Sequence, residues 1–366
     1  MTFSPPEPSS KVQLESASLS LNGLIDVLGS DTLRAIQPEP HIKLILNQSK
    51  AQFTVNNIAT EAALSIDGLG AFEIDESING ISRLITIQGP TGEAVELNWL
   101  LPSNESYTFA VIGDSGGGDE LSWCLERAHE LGAQFLLHLG DFNYAPDEYD
   151  QAIHAFYTAE IPSYITIGNH DFNDSGLVYQ NFLNELGRFN HRFMLAGTEF
   201  LNIDTAASFF PLSGGQRGRF MRSLTPTSNP KIAFTHRPFV DIRPGEDHVL
   251  SSDAEADWLL NNLRAIGCED YLCGHVHKSG ETDVQGLRQW TVGEGLGYED
   301  WVARRPVSQL LMGSIAPDTQ PRFYWADLQM PWIRHTSHEH LEKLRKEQPQ
   351  AAVDWFLAKK LELGMS

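Results

Sequence analysis

The sequence predicts an α/β protein with a small all-β sandwich ahead of it, because the spacing of apolar residues changes along the chain. Between residues 41 and 101 apolar and polar residues alternate, as in Ile42, Leu44 and Leu46, and turn signals separate the runs. Short alternating strands of this kind are typical of a small β-sandwich. From about Tyr107 onward, short apolar runs alternate with helical periods, and this favours a layered α/β architecture.

The same patterns predict four segments along the chain. We expect a disordered, Pro- and Ser-rich N-terminus over 1–11 and a small β-sandwich domain over 12–105. A catalytic α/β domain over 106–334 and a helical tail over 335–366 follow. The tail is predicted from a capping box at 336–339 and the amphipathic stripe that comes after it.

Charge and hydropathy exclude some classes of partner. The 366 residues include 48 Asp and Glu against 26 Lys and Arg, a net charge of −22. Nucleic acids and anionic membranes are bound mainly by Lys and Arg, so neither is expected as a partner. No apolar run has the length of a membrane span. A small phosphorylated substrate remains compatible with the charge, because bound metal ions can reverse the local field.

The start of the chain and its cysteines indicate a cellular location. The first 11 residues lack the apolar core of a secretory signal, although a chain whose signal had been removed would begin in a similar way. Three cysteines, Cys124, Cys268 and Cys273, give no disulfide framework. We therefore expect a cytoplasmic protein.

Five short polar motifs lie where predicted strands end. They are Gly113-Asp114-Ser115-Gly116, Gly140-Asp141-Phe142-Asn143-Tyr144, Gly168-Asn169-His170-Asp171, Thr235-His236-Arg237-Pro238 and Gly274-His275-Val276-His277. In layered α/β proteins the carboxyl ends of the strands converge on one edge of the sheet. The motifs therefore predict one site that uses two of their aspartates, the tyrosine, one asparagine and the four histidines, a donor set that suits two ions such as Fe, Mn or Zn.

Each motif alone is a weak signal, and only the combination is specific. A lone Gly-Asp is usually a turn, and a lone histidine before proline, such as His236, is usually an ordinary loop residue. The order of all five motifs, each at a strand end, is hard to obtain by chance. Three nearby cations, Arg217, Arg219 and Arg237, could meet a substrate phosphate, but for each of them a structural role is the expectation.

In this order the motifs resemble those of the calcineurin-like metallophosphoesterases, GD, GD, GNH[DE], H and GHxH, over roughly 107–328. The resemblance implies a four-layer α/β/β/α sandwich, a binuclear metal centre and hydrolysis of phosphate esters. Many members carry a histidine where this chain has Gly116, and here Tyr144 follows Asp141 by three residues. That pattern is similar to the purple acid phosphatase branch, and GDFNY is similar to the GDNFY of its tartrate-resistant members.

The resemblance also implies roles for individual residues. One ion would be bound by Asp114, Asp141, Tyr144 and His277, and the other by Asp141, Asn169, His236 and His275. Asp141 would thus bridge an Fe(III) and a second ion, which is Fe(II), Mn(II) or Zn(II). His170 would face the substrate.

The leading hypothesis is a phosphatase that hydrolyses phosphomonoesters by attack of a metal-bound hydroxide, with His170 as the general acid. Two alternatives stay open. One is a phosphodiesterase, for example for cyclic nucleotides, because the same metal core serves both reactions. The other is a binding or scaffold protein that has kept the fold and lost the chemistry. The β-sandwich carries no residues that identify a protein or glycan partner.

Overall fold

The structure is a computed structural model that describes residues 10–27, 31–67, 72–102, 106–145, 147–172, 178–206, 215–297 and 308–329. The predicted helical tail over 335–366 and the first nine residues of the predicted disordered N-terminus lie outside the described residues. Within the described ranges, none of the helices combines the length and the apolar character needed to cross a membrane.

The first hundred residues form two five-stranded sheets, ordered β1-β2-β5-β10-β7 and β3-β4-β6-β9-β8. Their strands are β1 (Lys11–Gln13), β2 (Ala17–Asn22), β3 (Leu24–Val27), β4 (Thr32–Ala35), β5 (His41–Leu46), β6 (Lys50–Asn56), β7 (Ala63–Asp67), β8 (Glu73–Asn79), β9 (Ser82–Gln88) and β10 (Ala94–Leu100). In β5 the residues Ile42, Leu44 and Leu46 are buried, whereas Lys43 between them is exposed. The alternation in the sequence therefore reflects one buried face per strand.

The second part of the chain contains two mixed sheets, ordered β13-β12-β11-β20-β21 and β14-β15-β16-β17-β19-β18. The strands are β11 (Tyr107–Ile112), β12 (Phe135–His138), β13 (Ser163–Ile165), β14 (His191–Leu195), β15 (Thr198–Asn202), β16 (Lys231–Phe234), β17 (Asp270–Cys273), β18 (Ser279–Val284), β19 (Leu287–Val292), β20 (Gln309–Ile315) and β21 (Arg322–Asp327). The helices are α1 (Asp119–Glu130), α2 (Glu148–Thr158), α3 (Val178–Glu185), α4 (Gly215–Ser223) and α5 (Asp253–Ala265), with a 3₁₀ turn over His170–Phe172.

Aromatic rings join the two mixed sheets face to face. Phe109 of β11 stacks on Phe135 of β12 at 5.3 Å, and Phe200 of β15 meets both rings edge-on. Helix α1 packs against β11 and β12 on one side, while Leu259 and Leu263 of α5 are buried with the second sheet on the other. The predicted α/β sandwich preceded by an all-β region is confirmed. The predicted boundaries of the four segments stay predictions.

The β-sandwich contacts the edge strand β13 through buried polar side chains. Asn57 donates from Nδ2 to the carbonyl of Ser163 and accepts from its N–H through Oδ1, both at 2.9 Å. Arg34 donates to the same carbonyl and to Ser163 Oγ at 3.2 Å, and its guanidinium lies over the ring of Tyr157. The free edge of β13 therefore finds its hydrogen-bond partners in the sandwich.

Candidate metal centre

The five predicted motifs follow the carboxyl ends of five strands. Parallel strands β11, β12 and β13 lead into the first three motifs, and parallel strands β16 and β17 of the other sheet lead into the last two. The two sheets therefore deliver their polar residues to a common edge. The eight predicted side chains are those of Asp114, Asp141, Tyr144, Asn169, His170, His236, His275 and His277, and the structure brings all of them to this edge.

The first donor group comprises Asp114, Asp141, His277 and Tyr144. Ligand atoms of the two aspartates and His277 lie within 4.8 Å of one another. The hydroxyl oxygen of Tyr144 lies 3.3 Å from Asp114 Oδ1, 3.3 Å from Asp141 Oδ2 and 3.0 Å from His277 Nε2. The Tyr144 hydroxyl has a single hydrogen and cannot donate fully to both carboxylate oxygens. Where these side chains meet, acceptor lone pairs therefore outnumber the hydrogens available to them.

The second donor group comprises Asp141, His236, His275 and Asn169. His236 Nε2 lies 2.9 Å from Asn169 Oδ1, 3.2 Å from His275 Nδ1 and 3.4 Å from Asp141 Oδ2. Ligand atoms of Asp141, His236 and His275 again lie within 4.8 Å of one another. Asp141 is therefore common to both groups, as a bridging ligand must be.

The donor set fits two metal ions. Asp114, Asp141 and His236 are almost fully buried, and buried carboxylates facing each other are costly unless a cation stands between them. Carboxylate and amide oxygens with imidazole nitrogens are ligands that Fe, Mn and Zn accept. The residues predicted to hold each ion would therefore supply a suitable set of donors.

The backbone at these ligands is strained. Asp114, Asp141, His275 and His277 have φ angles of 58°, 59°, 71° and 44°, in the left-handed region that side chains with a Cβ rarely adopt. Such strain persists where the surrounding structure fixes the backbone, and it concentrates at functional sites.

Two motif glycines are required by close approach rather than by their own φ angle. A Cβ at Gly168 would collide with the carboxylate of Asp141, and one at Gly274 would collide with the carboxylate of Asp114. Each glycine therefore leaves room for an aspartate that follows a different strand.

Asp171 fixes the backbone at Asp141, and the sequence motif that contains Asp171 did not indicate this role. Its carboxylate accepts hydrogen bonds from the backbone N–H groups of Asp141 (3.0 Å), Phe142 (3.0 Å) and Gly168 (2.7 Å). Burial and the charge of Asp141 both raise the pKa of Asp171. Asp171 directly follows His170 in the sequence, and this position was the one signal that could have indicated its role.

His138 is a second residue that the sequence reasoning missed. Its Nδ1 accepts from the N–H of Gly140 at 3.2 Å, so Nε2 carries the hydrogen that points to Ser115 Oγ at 2.9 Å. Burial lowers the pKa of His138 to about 3, which keeps the ring neutral. His138 thereby connects the turns that carry the two aspartates.

The electrostatic balance centres on Asp141 and His236. Burial raises the pKa of Asp141, but the nearby His236 and His170 more than offset this, so the pKa lies below its usual range. Burial lowers the pKa of His236, and the two aspartates reverse that effect and raise it to about 9. Burial, His236 and Arg237 lower the pKa of His275.

His170 lies outside both donor groups. Its backbone N–H donates to Asp141 Oδ1 at 2.8 Å, and its ring centroid lies 4.5 Å from that of Tyr144. The side chain is only partly buried. It thus borders the centre without joining either set of donors.

The part of the sequence that carries these residues matches the model of a known family. A family model described as calcineurin-like phosphoesterase matches residues 107–279, which contain all five motifs. No curated protein matches the chain by sequence.

Solved structures of similar fold include a purple acid phosphatase, PPD1, from yellow lupin seeds, at 11% identity and a TM-score of 0.45, covering 89% of this chain and 73% of that one. A dimetal phosphatase from Danio rerio has 12% identity and a TM-score of 0.37, covering 59% and 98%. GAP50, the anchor in the inner membrane complex of Plasmodium, has 12% identity and a TM-score of 0.45, covering 62% and 86%.

Proposed function

We propose that this chain, in which residues 107–279 form a calcineurin-like phosphoesterase domain, is a binuclear metal-dependent phosphatase that hydrolyses phosphomonoesters. The observation that carries the proposal is the position of Asp141, whose carboxylate belongs to both donor groups. A residue shared in this way is what two adjacent ions require.

In the proposal the two donor groups hold one ion each. Asp114, Asp141, Tyr144 and His277 would hold the first, and Asp141, Asn169, His236 and His275 the second. The ions would supply an activated water and positive charge for the phosphoryl oxygens. The polypeptide fixes the ligands in advance, through Asp171 and the glycines that admit the two acids.

His170 is proposed as the general acid. Its ring lies beside Tyr144 at the border of the centre, and its backbone is tied to Asp141. A partly exposed imidazole can gain its proton from solvent and pass it to the departing ester oxygen. The phosphorylated substrate is expected to be small, because the net charge of −22 disfavours polyanions.

Tyr144 supports a purple acid phosphatase-like subtype. Its hydroxyl lies among Asp114, Asp141 and His277, as a ligand in the first donor group would. A phenolate is a hard donor that favours Fe(III), so Fe(III) with Fe(II), Mn(II) or Zn(II) is the proposed pair. A cytoplasmic location stays a prediction.

The test is hydrolysis of 4-nitrophenyl phosphate and bis(4-nitrophenyl) phosphate after reconstitution with Fe and Zn, or with Mn. We expect turnover of the monoester that a chelator abolishes and that His236→Ala removes, while Asp75→Asn on the exposed face of β8 retains it. Preference for the diester would support the phosphodiesterase alternative. Metal uptake without hydrolysis of either ester would support the scaffold alternative.

A further inference from the structure

Arg237 is a partly buried cation beside the second donor group. Its Nη1 lies 3.0 Å from His275 Nε2 and 3.4 Å from the carbonyl of Val249, and its Nε has no hydrogen-bond partner among the residues that the structure describes. Burial lowers the pKa of its guanidinium, and the charge of Asp141 partly opposes this. The side chain therefore reaches the centre with hydrogen-bonding capacity unused.

Two buried or half-buried arginines of the α/β part illustrate the usual arrangement, a carboxylate partner. Arg217 pairs with Asp204 at 2.8 Å, and Arg288 pairs with Asp270 at 2.9 Å. No ion pair of Arg237 occurs in the described ranges of the chain. A partly buried guanidinium that forms no ion pair within the described ranges is suited to an anion from outside the chain.

The backbone at Arg237 is held from both sides. Thr205 Oγ1 accepts from the N–H groups of His236 (3.1 Å) and Arg237 (2.8 Å), and the Tyr271 hydroxyl donates to the carbonyl of Arg237 at 2.7 Å. The position of Arg237 relative to His236 is therefore fixed by the fold, and only its side chain is left to move.

The contact with His275 depends on which ring nitrogen carries the hydrogen. A guanidinium can only donate, so His275 Nε2 must accept and Nδ1 must carry the hydrogen. Nδ1 is the atom that faces His236 in the second donor group. If Nδ1 serves as a ligand, the hydrogen must lie on Nε2 and the contact with Arg237 is lost. The guanidinium is then available to another acceptor.

We propose that Arg237 binds a non-bridging phosphoryl oxygen and makes the site selective for phosphomonoesters; the inference rests on the proposed phosphatase function. A monoester has three non-bridging oxygens and a diester has two. With one oxygen assigned to each ion, only the monoester keeps a third, charged oxygen for a guanidinium. Arg237 would therefore stabilise the monoester and its transition state and contribute little to the diester.

The test compares Arg237→Met and Arg237→Lys with the wild-type protein on 4-nitrophenyl phosphate and bis(4-nitrophenyl) phosphate. Loss of one preorganised donor costs about 10²-fold, so we expect Arg237→Met to lower kcat/KM for the monoester by about that factor. For the diester we expect a change of less than about 3-fold, because no oxygen is left for Arg237. Arg237→Lys should fall between, since an ammonium keeps the charge without the planar fork.

A binding measurement gives a second readout that does not depend on turnover. By calorimetry, Arg237→Met should weaken inorganic phosphate binding to the metal-loaded protein about 10²-fold and leave dimethyl phosphate binding unchanged. Arg192→Met, on strand β14 and paired with Glu199, is the matched control and should change neither. Metal content of every variant is measured in parallel.

The outcomes separate the two proposals. Suppose that an Arg237→Met protein with full metal content loses the same factor in kcat/KM on both esters, or loses nothing on either. That result would overturn the role of Arg237 and leave the proposed phosphatase function intact. A wild-type protein that hydrolyses neither ester would contradict the proposed function itself. In that case the binding data still test Arg237, because inorganic phosphate that binds Arg237→Met as tightly as wild type would contradict its role as well.

Discussion

Two regions of the molecule bury polar side chains almost completely, and they differ in the partners of those side chains. Where the β-sandwich meets β13, Asn57 pairs with the N–H and the carbonyl of Ser163, and Arg34 adds two donor bonds. At the candidate metal centre, Asp114 and Asp141 instead crowd the Tyr144 hydroxyl. In the first region the donors and acceptors are paired apart from Arg34 Nε, whereas the second region concentrates lone pairs.

This difference separates a structural role from a functional one. A buried polar group with matched partners stabilises one arrangement of the chain. A buried cluster with surplus lone pairs is stable only with cations or protons between them. The first region therefore ties two parts of the chain together, while the second is suited to bind ions. The β-sandwich on this view supports the strand that leads to Asn169 and His170.

The largest expected effect is that of Asp141→Ala. Loss of the shared ligand should abolish uptake of both ions and lower kcat by at least about 10³-fold, because the chemistry depends on both sites. Elemental analysis and phosphatase rates measure this. Asp75→Asn, an exposed aspartate on β8, serves as the control. Normal metal content in Asp141→Ala would show that the carboxylate does not bridge.

Asn57→Ala should give the opposite pattern, a loss of stability with the centre preserved. The change leaves the buried N–H of Ser163 and the carbonyl of Ala35 without this partner, so the free energy of unfolding should fall by about 2–4 kcal/mol. Urea unfolding measures it, with Asn98→Ala on the exposed side of β10 as the control. If Asn57→Ala were as stable as wild type, or lost its metal while folded, the contrast between the regions would fail.

Glu120 tests a buried acid outside both regions. Burial, with Asp119 and Glu148 nearby, raises its pKa from 4.5 to about 7. Between those pH values the unfolded chain releases the proton and the folded chain keeps it, so the stability due to this group falls as pH rises. Glu120→Gln removes this loss. We expect the variant to be close to wild type near pH 4.5 and to exceed it by about 3 kcal/mol above pH 7.

Unfolding midpoints of Glu120→Gln and wild type at pH 5 and pH 8 measure this difference. A constant offset at the two pH values would show that Glu120 titrates normally in the folded protein. Glu126→Gln on the same helix is the control, because the side chain of Glu126 is exposed to solvent.

Tyr144→Phe should have the smallest effect on stability and a clear spectroscopic one. In the proposed centre the hydroxyl serves an ion, so its removal should change the free energy of unfolding of the metal-free protein by less than about 1 kcal/mol. Oxidised iron-loaded wild type should absorb visible light through a tyrosinate, and Tyr144→Phe should be bleached. An unchanged spectrum would remove Tyr144 from the ligands.

Much of the fold, and the set of residues that come together at the candidate site, could be predicted from the sequence. Alternation and helical periods predicted the two architectures, and strand-end motifs predicted residues that the folded chain brings to one edge. Their roles as ligands, and that of His170 as an acid, stay predictions. Motif reasoning succeeded because parallel strands align their carboxyl ends, whatever the loops between them contain.

What the sequence could not predict depends on contacts between distant segments. Asn57 meets Ser163 across 106 residues, and nothing in either local sequence indicates the pairing. His138 ends an apolar strand, and nothing in the local sequence indicates that its ring hydrogen-bonds to Ser115. For Arg237 the sequence left a phosphate contact possible but favoured a structural role, and it is the absence of an ion pair in the described ranges that favours the phosphate contact.

The most direct test of the central claim is the number of metal ions per chain, measured by elemental analysis after reconstitution and desalting, in wild type and in Asn169→Ala. Asn169 belongs to the second donor group alone, whereas Asp141 belongs to both. The account predicts two ions per wild-type chain, with phosphomonoester hydrolysis, and one tightly held ion in Asn169→Ala. A wild-type chain that retains one ion or none, or an Asn169→Ala chain that retains two, would contradict it.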